Sequence, residues 1–206
     1  MAGKVLIAYT SRMGSTAEIA QAIGRELETA GFVVEVAGLK DVGSIEGFDA
    51  VVIGSPVYMT QIEKDVAVFT ARHRAGLSRV PVAAFTVGIA PVDHRVGSVG
   101  DVLDKFRAAL GPVKPVAITM FAGRLELARM SFVQRTMTGL MKVFTGDFRD
   151  WEAIRAWARE LPAACGMRHP GGPPDGGPGG SGSQVGPGAI PGREGSRQGT
   201  SEEKDP

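Results

Sequence analysis

The stretch Val5-Leu6-Ile7-Ala8-Tyr9-Thr10-Ser11-Arg12-Met13-Gly14-Ser15-Thr16 decides the fold. It opens as an uninterrupted apolar run, as expected of a strand buried on both faces of a parallel sheet. It then breaks into hydroxyl residues and a glycine, and passes into Ala17-Glu18-Ile19-Ala20-Gln21-Ala22-Ile23-Gly24-Arg25-Glu26-Leu27, where apolar residues recur at helical spacing. The order is strand, short loop, helix. A loop so placed gathers unpaired backbone N–H groups and the positive end of the helix dipole around one small volume, and the Thr10, Ser11, Ser15 and Thr16 hydroxyls add donors. That volume suits a phosphate. Gly14 lets the backbone approach closely, and no lysine stands where a nucleotide-triphosphate loop carries one, which points to a phosphate that is held and not transferred. Ser and Thr also serve as ordinary helix N-caps, so spacing alone leaves both readings open.

Outward from this unit the pattern repeats. Strands are predicted at Phe32–Ala37, which alternates and so reads as an edge, and at Asp49–Gly54, Val82–Val87 and Pro115–Phe121; helices are predicted at Lys64–Arg74, Val99–Leu110 and from Trp151 onward. Alternating strands and helices mean a parallel sheet covered on both faces, with ligands beyond the carboxyl ends of the strands. Besides the opening loop, two more leave those ends. One is Gly54-Ser55-Pro56-Val57-Tyr58-Met59-Thr60, with a ring at Tyr58 to cover an aromatic ligand. The other, Val87-Gly88-Ile89-Ala90-Pro91, runs on to His94 and Arg95, either of which would compensate negative charge on such a ligand, although a lone loop histidine is more often solvated.

The 206 residues are 43% hydrophobic and 22% charged, enough for one domain with a core plus extra length. The extra length is residues 163–206, Gly/Pro/Ser-rich and expected to be disordered, which leaves 1–162 as the folded domain. A net charge of +1, from 23 basic and 22 acidic side chains, argues against nucleic acid as a partner. Cys165, the single cysteine, reads as a bystander thiol at the edge of the tail; His73 and His169 read as inert, and no spacing suggests a metal. No apolar run reaches the roughly 18 residues that span a bilayer, and a cytoplasmic protein is expected.

The loop Tyr9 to Thr16, followed by Ala20 and Ile23, resembles the FMN phosphate loop of the flavodoxins, with Ala8 smaller than the residue usual there. The resemblance implies a flavodoxin-like α/β sandwich, its five parallel strands ordered 2-1-3-4-5. It also implies FMN held by Thr10, Ser11, Arg12, Met13, Gly14, Ser15 and Thr16, by Ser55, Pro56, Val57, Tyr58 and Met59, and by Val87, Gly88 and Ile89. Whether Tyr58 or Met59 covers the flavin stays open.

A minimal flavodoxin passes from its fifth strand straight to its last helix, whereas this chain inserts residues 122–150. Val133, Met137, Leu140, Met141 and Phe144 fall at helical spacing, among more positive than negative charges. Such a helix packs on its own domain, rests on an anionic membrane through residues 124–144, or binds an acidic ligand. Phe121-Ala122-Gly123-Arg124-Leu125 and Thr145-Gly146-Asp147-Phe148-Arg149-Asp150-Trp151 resemble the menaquinone-dependent protoporphyrinogen dehydrogenases, although aromatics after Arg124 are fewer than in that branch. That resemblance implies a heme-biosynthesis oxidoreductase passing electrons from a porphyrinogen through FMN to a quinone. Arg124, Arg129 and Arg135 would meet the substrate's propionates or the membrane. The alternative is a soluble flavodoxin-type carrier between protein partners. An NAD(P)H:quinone reductase would need a nicotinamide site, and the sequence shows none.

Overall fold

Val5, Leu6, Ile7 and Ala8 are wholly buried, as the apolar run requires of strand β1 (Lys4–Tyr9). The computed structural model describes residues 2–58, 60–93, 97–125 and 146–168. β1 pairs in parallel with β2 (Val33–Gly38) on one side and β3 (Ala50–Tyr58) on the other. β3 pairs in turn with β5 (Val82–Gly88), and β5 with β6 (Ala117–Ala122). A two-residue strand, β4 (Gln61–Ile62), turns back antiparallel on the end of β3. The sheet order is thus β2-β1-β3-β5-β6, which without the β4 hairpin is the expected doubly wound order with its alternating strand at the edge.

The period of two along each strand divides the core. Val5, Ile7, Val52 and Phe85 face helices α1 (Ser15–Thr29) and α5 (Trp151–Ala164), meeting Ile19, Ile23, Leu27, Ile154 and Leu161. Leu6, Ala8, Val51 and Ile53 face the other way, toward Val66 and Phe69 of α2 (Lys64–Arg72) and Phe106 and Leu110 of α4 (Val99–Leu110). Ser98 caps α4 by accepting the Asp101 N–H at 3.0 Å, and Asp150 caps α5 by accepting that of Ala153 at 2.9 Å.

Four features depart from the sequence reading. β3 does not stop at Gly54 but continues to Tyr58, because Ser55 and Pro56 pair with Thr86 and Val87 of β5. Proline is tolerated there since the pairing with β1 ends at Gly54, leaving that side of β3 an edge. The predicted Lys64–Arg74 helix divides at His73 into α2 and the short α3 (Arg74–Leu77). The two ends of the insert form an antiparallel pair, β7 (Arg124–Leu125) and β8 (Gly146–Asp147), too short for any periodicity to announce. Finally, α5 runs to Ala164 and places Cys165 in the core, so the folded part passes residue 162. Burial raises the pKa of that thiol, which leaves it unreactive. The helix predicted in the insert and the tail from residue 169 lie outside the described residues, among which no helix is long and apolar enough to cross a membrane.

His73, expected to be inert, is buried at the α2–α3 junction with its ring 4.7 Å from that of Phe69. Its Nε2 has no hydrogen-bond partner among the described residues. Burial lowers its pKa, Arg72 acts the same way, and a hydrogen bond to the Val42 backbone opposes them. The unfolded chain therefore takes up this proton at a higher pH than the native one, and stability falls as pH drops through about 6.5. Urea midpoints should decline from about pH 7.5 to about pH 5.5, and His73→Gln should flatten that slope.

Candidate functional site

The opening loop is shaped by Gly14, whose φ of 94° lies in the left-handed region that favours glycine. No side chain caps α1, so the plain N-cap reading of the loop hydroxyls does not hold. Ser11 Oγ instead accepts the Gly14 N–H at 3.1 Å and fixes the turn, while the Thr10 N–H donates to the Gly54 carbonyl at 3.0 Å and ties the loop to β3. Thr16 Oγ1 is buried and has no hydrogen-bond partner among the described residues. Leaving a hydroxyl so costs about 1–3 kcal/mol, a cost that an incoming acceptor would remove.

An open cleft lies where the three loops converge. Arg12, Met13, Ser15 and Thr16 line it from the first loop, and Pro56, Val57 and Tyr58 from the end of β3. Val87, Gly88 and Ile89 close it from β5, with Gly123 and Arg124 from the root of the insert. Gly88 lets the backbone lie close to its neighbours: a Cβ there would stand 2.9 Å from Met120 Cε, the movable end of a long side chain, and 3.3 Å from Val57 Cβ. Thr10, Ser11 and Gly14 line a neighbouring cleft with Leu39 and Asp41. Ser55 is not brought to either cleft; it is buried and its hydroxyl donates to the Pro56 carbonyl at 3.1 Å. Met59, His94, Arg95, Arg129 and Arg135 lie outside the described residues.

Two ion-pair systems border the cleft. The Arg12 guanidinium pairs with Glu63, Nη2 to Oε2 at 3.1 Å, and its carbon lies 5.5 Å from the centre of the Tyr58 ring. The bond to Glu63 raises the Arg12 pKa above its ordinary value. Glu18, in the first turn of α1, accepts from Arg124 at 2.9 Å and from Arg149 at 2.5 Å. Arg149 also grips Asp147 with Nε at 2.7 Å and Nη2 at 2.5 Å, and lies 4.5 Å from the centre of the Trp151 ring. Its side chain is only 4% exposed, and the bond to Arg149 holds the Asp147 carboxyl below the usual range. The Arg124 side chain, expected from the resemblance to meet propionates or the membrane, is 16% exposed and pairs with Glu18 on α1.

The sequence profile of a flavodoxin domain matches residues 6–151. The chain belongs to the flavodoxin-domain family. A curated relative, protoporphyrinogen IX dehydrogenase [quinone] from Escherichia coli strain K12, is 27% identical over 171 residues, covering 77% of this chain and 94% of the relative. Among solved structures, a short-chain flavodoxin associated with a bacterial microcompartment shares the fold with a TM-score of 0.51 and 12% identity, over 80% of this chain and 99% of that one. Oxidised flavodoxin 1 from Bacillus cereus aligns over 77% of this chain and 97% of its own, with a TM-score of 0.49 and 13% identity.

FMN is the cofactor of this flavodoxin-domain chain, and the cleft fits it. The orphaned Thr16 hydroxyl and the uncapped start of α1 suit a phosphate, and the wall of Pro56, Val57, Tyr58 and Gly88 suits a flat ring. Sequence reasoning missed Glu18, Glu63 and Gly123 at the border of the cleft. Arg12–Glu63 and Arg149–Glu18 join residues 51 and 131 positions apart, and no local pattern signals such contacts.

Proposed function

We propose that this flavodoxin-domain protein is a porphyrinogen dehydrogenase that delivers electrons to a quinone, menaquinone or another. The observation that carries the reading is that the two ends of a basic insert meet beside the flavin cleft, held there by β7–β8 and the Glu18 bridges. Similarity to the Escherichia coli dehydrogenase over nearly the whole of that relative supports it. Bound FMN supplies the acceptance of hydride and its onward transfer as electrons. The chain binds and orients. Ser15 and Thr16 hold the phosphate, with Thr10, Ser11 and Gly14 shaping the loop, and Tyr58 covers one side of the ring. Gly88 and Ile89 present backbone to its edge. Arg129 and Arg135, in the insert, meet the substrate's propionates or an anionic membrane surface, while Arg124 is turned inward.

The test is reconstitution with FMN, followed by porphyrin fluorescence from protoporphyrinogen in the presence of a menaquinone analogue. A flavin-dependent rate is expected. A rate no higher than autoxidation, from protein that has bound FMN, would overturn the reading in favour of an electron carrier between proteins.

A further inference from the structure

We propose that Arg124 makes this cleft select a phosphorylated flavin over an unphosphorylated one, and that Glu18 holds it in readiness. The first loop supplies hydroxyls and a helix dipole but lacks a lysine, and Arg12 is engaged by Glu63 beside Tyr58, at the ring wall. Arg124 lines the same cleft, and its guanidinium reaches Glu18 on the turn of α1 that carries Ser15 and Thr16. Its charge therefore sits at the phosphate end.

Glu18 would by itself repel a phosphate there. The two arginines that meet it neutralise it, and they divide the work. Arg149 is buried, bidentate to Asp147 and stacked by Trp151, so it stays. Because Arg149 remains on Glu18 Oε2, Arg124 can swing from Oε1 to a phosphate oxygen without stranding the carboxylate. A phosphate dianion offers the guanidinium fork more charge than a carboxylate does. The buried Thr16 hydroxyl, without a hydrogen-bond partner among the described residues, independently marks the same spot for an acceptor.

The inference rests on the flavin cleft and not on the substrate. It is tested by titrating the flavin-stripped full chain with FMN and with riboflavin, following flavin fluorescence, and comparing the ratio of the two dissociation constants. Riboflavin reports the ring site and the fold; only FMN reports the phosphate. Arg124→Gln should shrink the preference for FMN about 10- to 100-fold while riboflavin binds as before. Arg124→Lys should restore part of it. Arg149→Gln should also lower the preference for FMN, because Glu18 is then left uncompensated when Arg124 turns to the phosphate, and riboflavin binding separates that effect from any loss of fold. Equal loss of both flavins in Arg124→Gln would make Arg124 a brace only and overturn the proposal, as would an unchanged ratio. Failure of the wild type to bind either flavin would overturn the cleft itself.

Discussion

Gly54→Ala is expected to destabilise the protein by about 3 kcal/mol or more, a large share of the roughly 5–15 kcal/mol that holds a domain folded. The added Cβ would stand 2.4 Å from Phe85 Cζ and 2.7 Å from Cε1. Phe85 cannot yield. It is wholly buried, and the rings of Phe121 and Trp157 each lie 6.1 Å from its own. The strain passes into β3, whose Gly54 carbonyl holds Thr10 and whose next residues wall the cleft. Urea denaturation of the flavin-free protein measures the loss. Adding Phe85→Leu, which shortens the opposing ring, should recover part of it, giving a coupling of about 1 kcal/mol or more between the two positions. An unchanged midpoint for Gly54→Ala would show that β3 does not pack on Phe85 this closely.

Thr16→Val should move two measurements in opposite directions. Valine keeps the shape and has similar helix propensity, but removes a buried hydroxyl that lacks a partner among the described residues. The flavin-free protein should be as stable or up to about 1 kcal/mol more stable, because nothing is lost that was bonded. FMN should bind about tenfold or more weakly, since a phosphate oxygen no longer receives that O–H. Fluorescence titration and thermal melting of the same sample give both numbers. A less stable flavin-free variant with unaltered FMN affinity would remove Thr16 from the phosphate site.

The sheet was legible because its signals are local. A both-face apolar run at Val5–Ala8 and helical spacing from Ile19 to Leu27 each report burial within a few residues. The three loops followed from topology, since ligands gather at the carboxyl ends of such strands. Gly54-Ser55-Pro56 misled because those residues usually make turns, whereas here pairing with Thr86 and Val87 extends the strand. The Arg124 ion pair was not legible, because nothing near it in sequence announces Glu18, 106 positions earlier, which lies opposite it. His73 carried no signal of burial, because a lone histidine shows nothing of the Phe69 ring or the packed junction around it.

The antiparallel β7–β8 pair brings the chain back, after the insert, to within one strand spacing of where it left. Whatever lies between those strands is a cassette hung from a fixed doorway, so its length and chemistry are free to change while the sheet below keeps its register. A short turn spliced from Leu125 to Gly146 ought to yield a minimal electron-transfer domain, and a foreign helix grafted at the same hinge ought to give the flavin a different clientele.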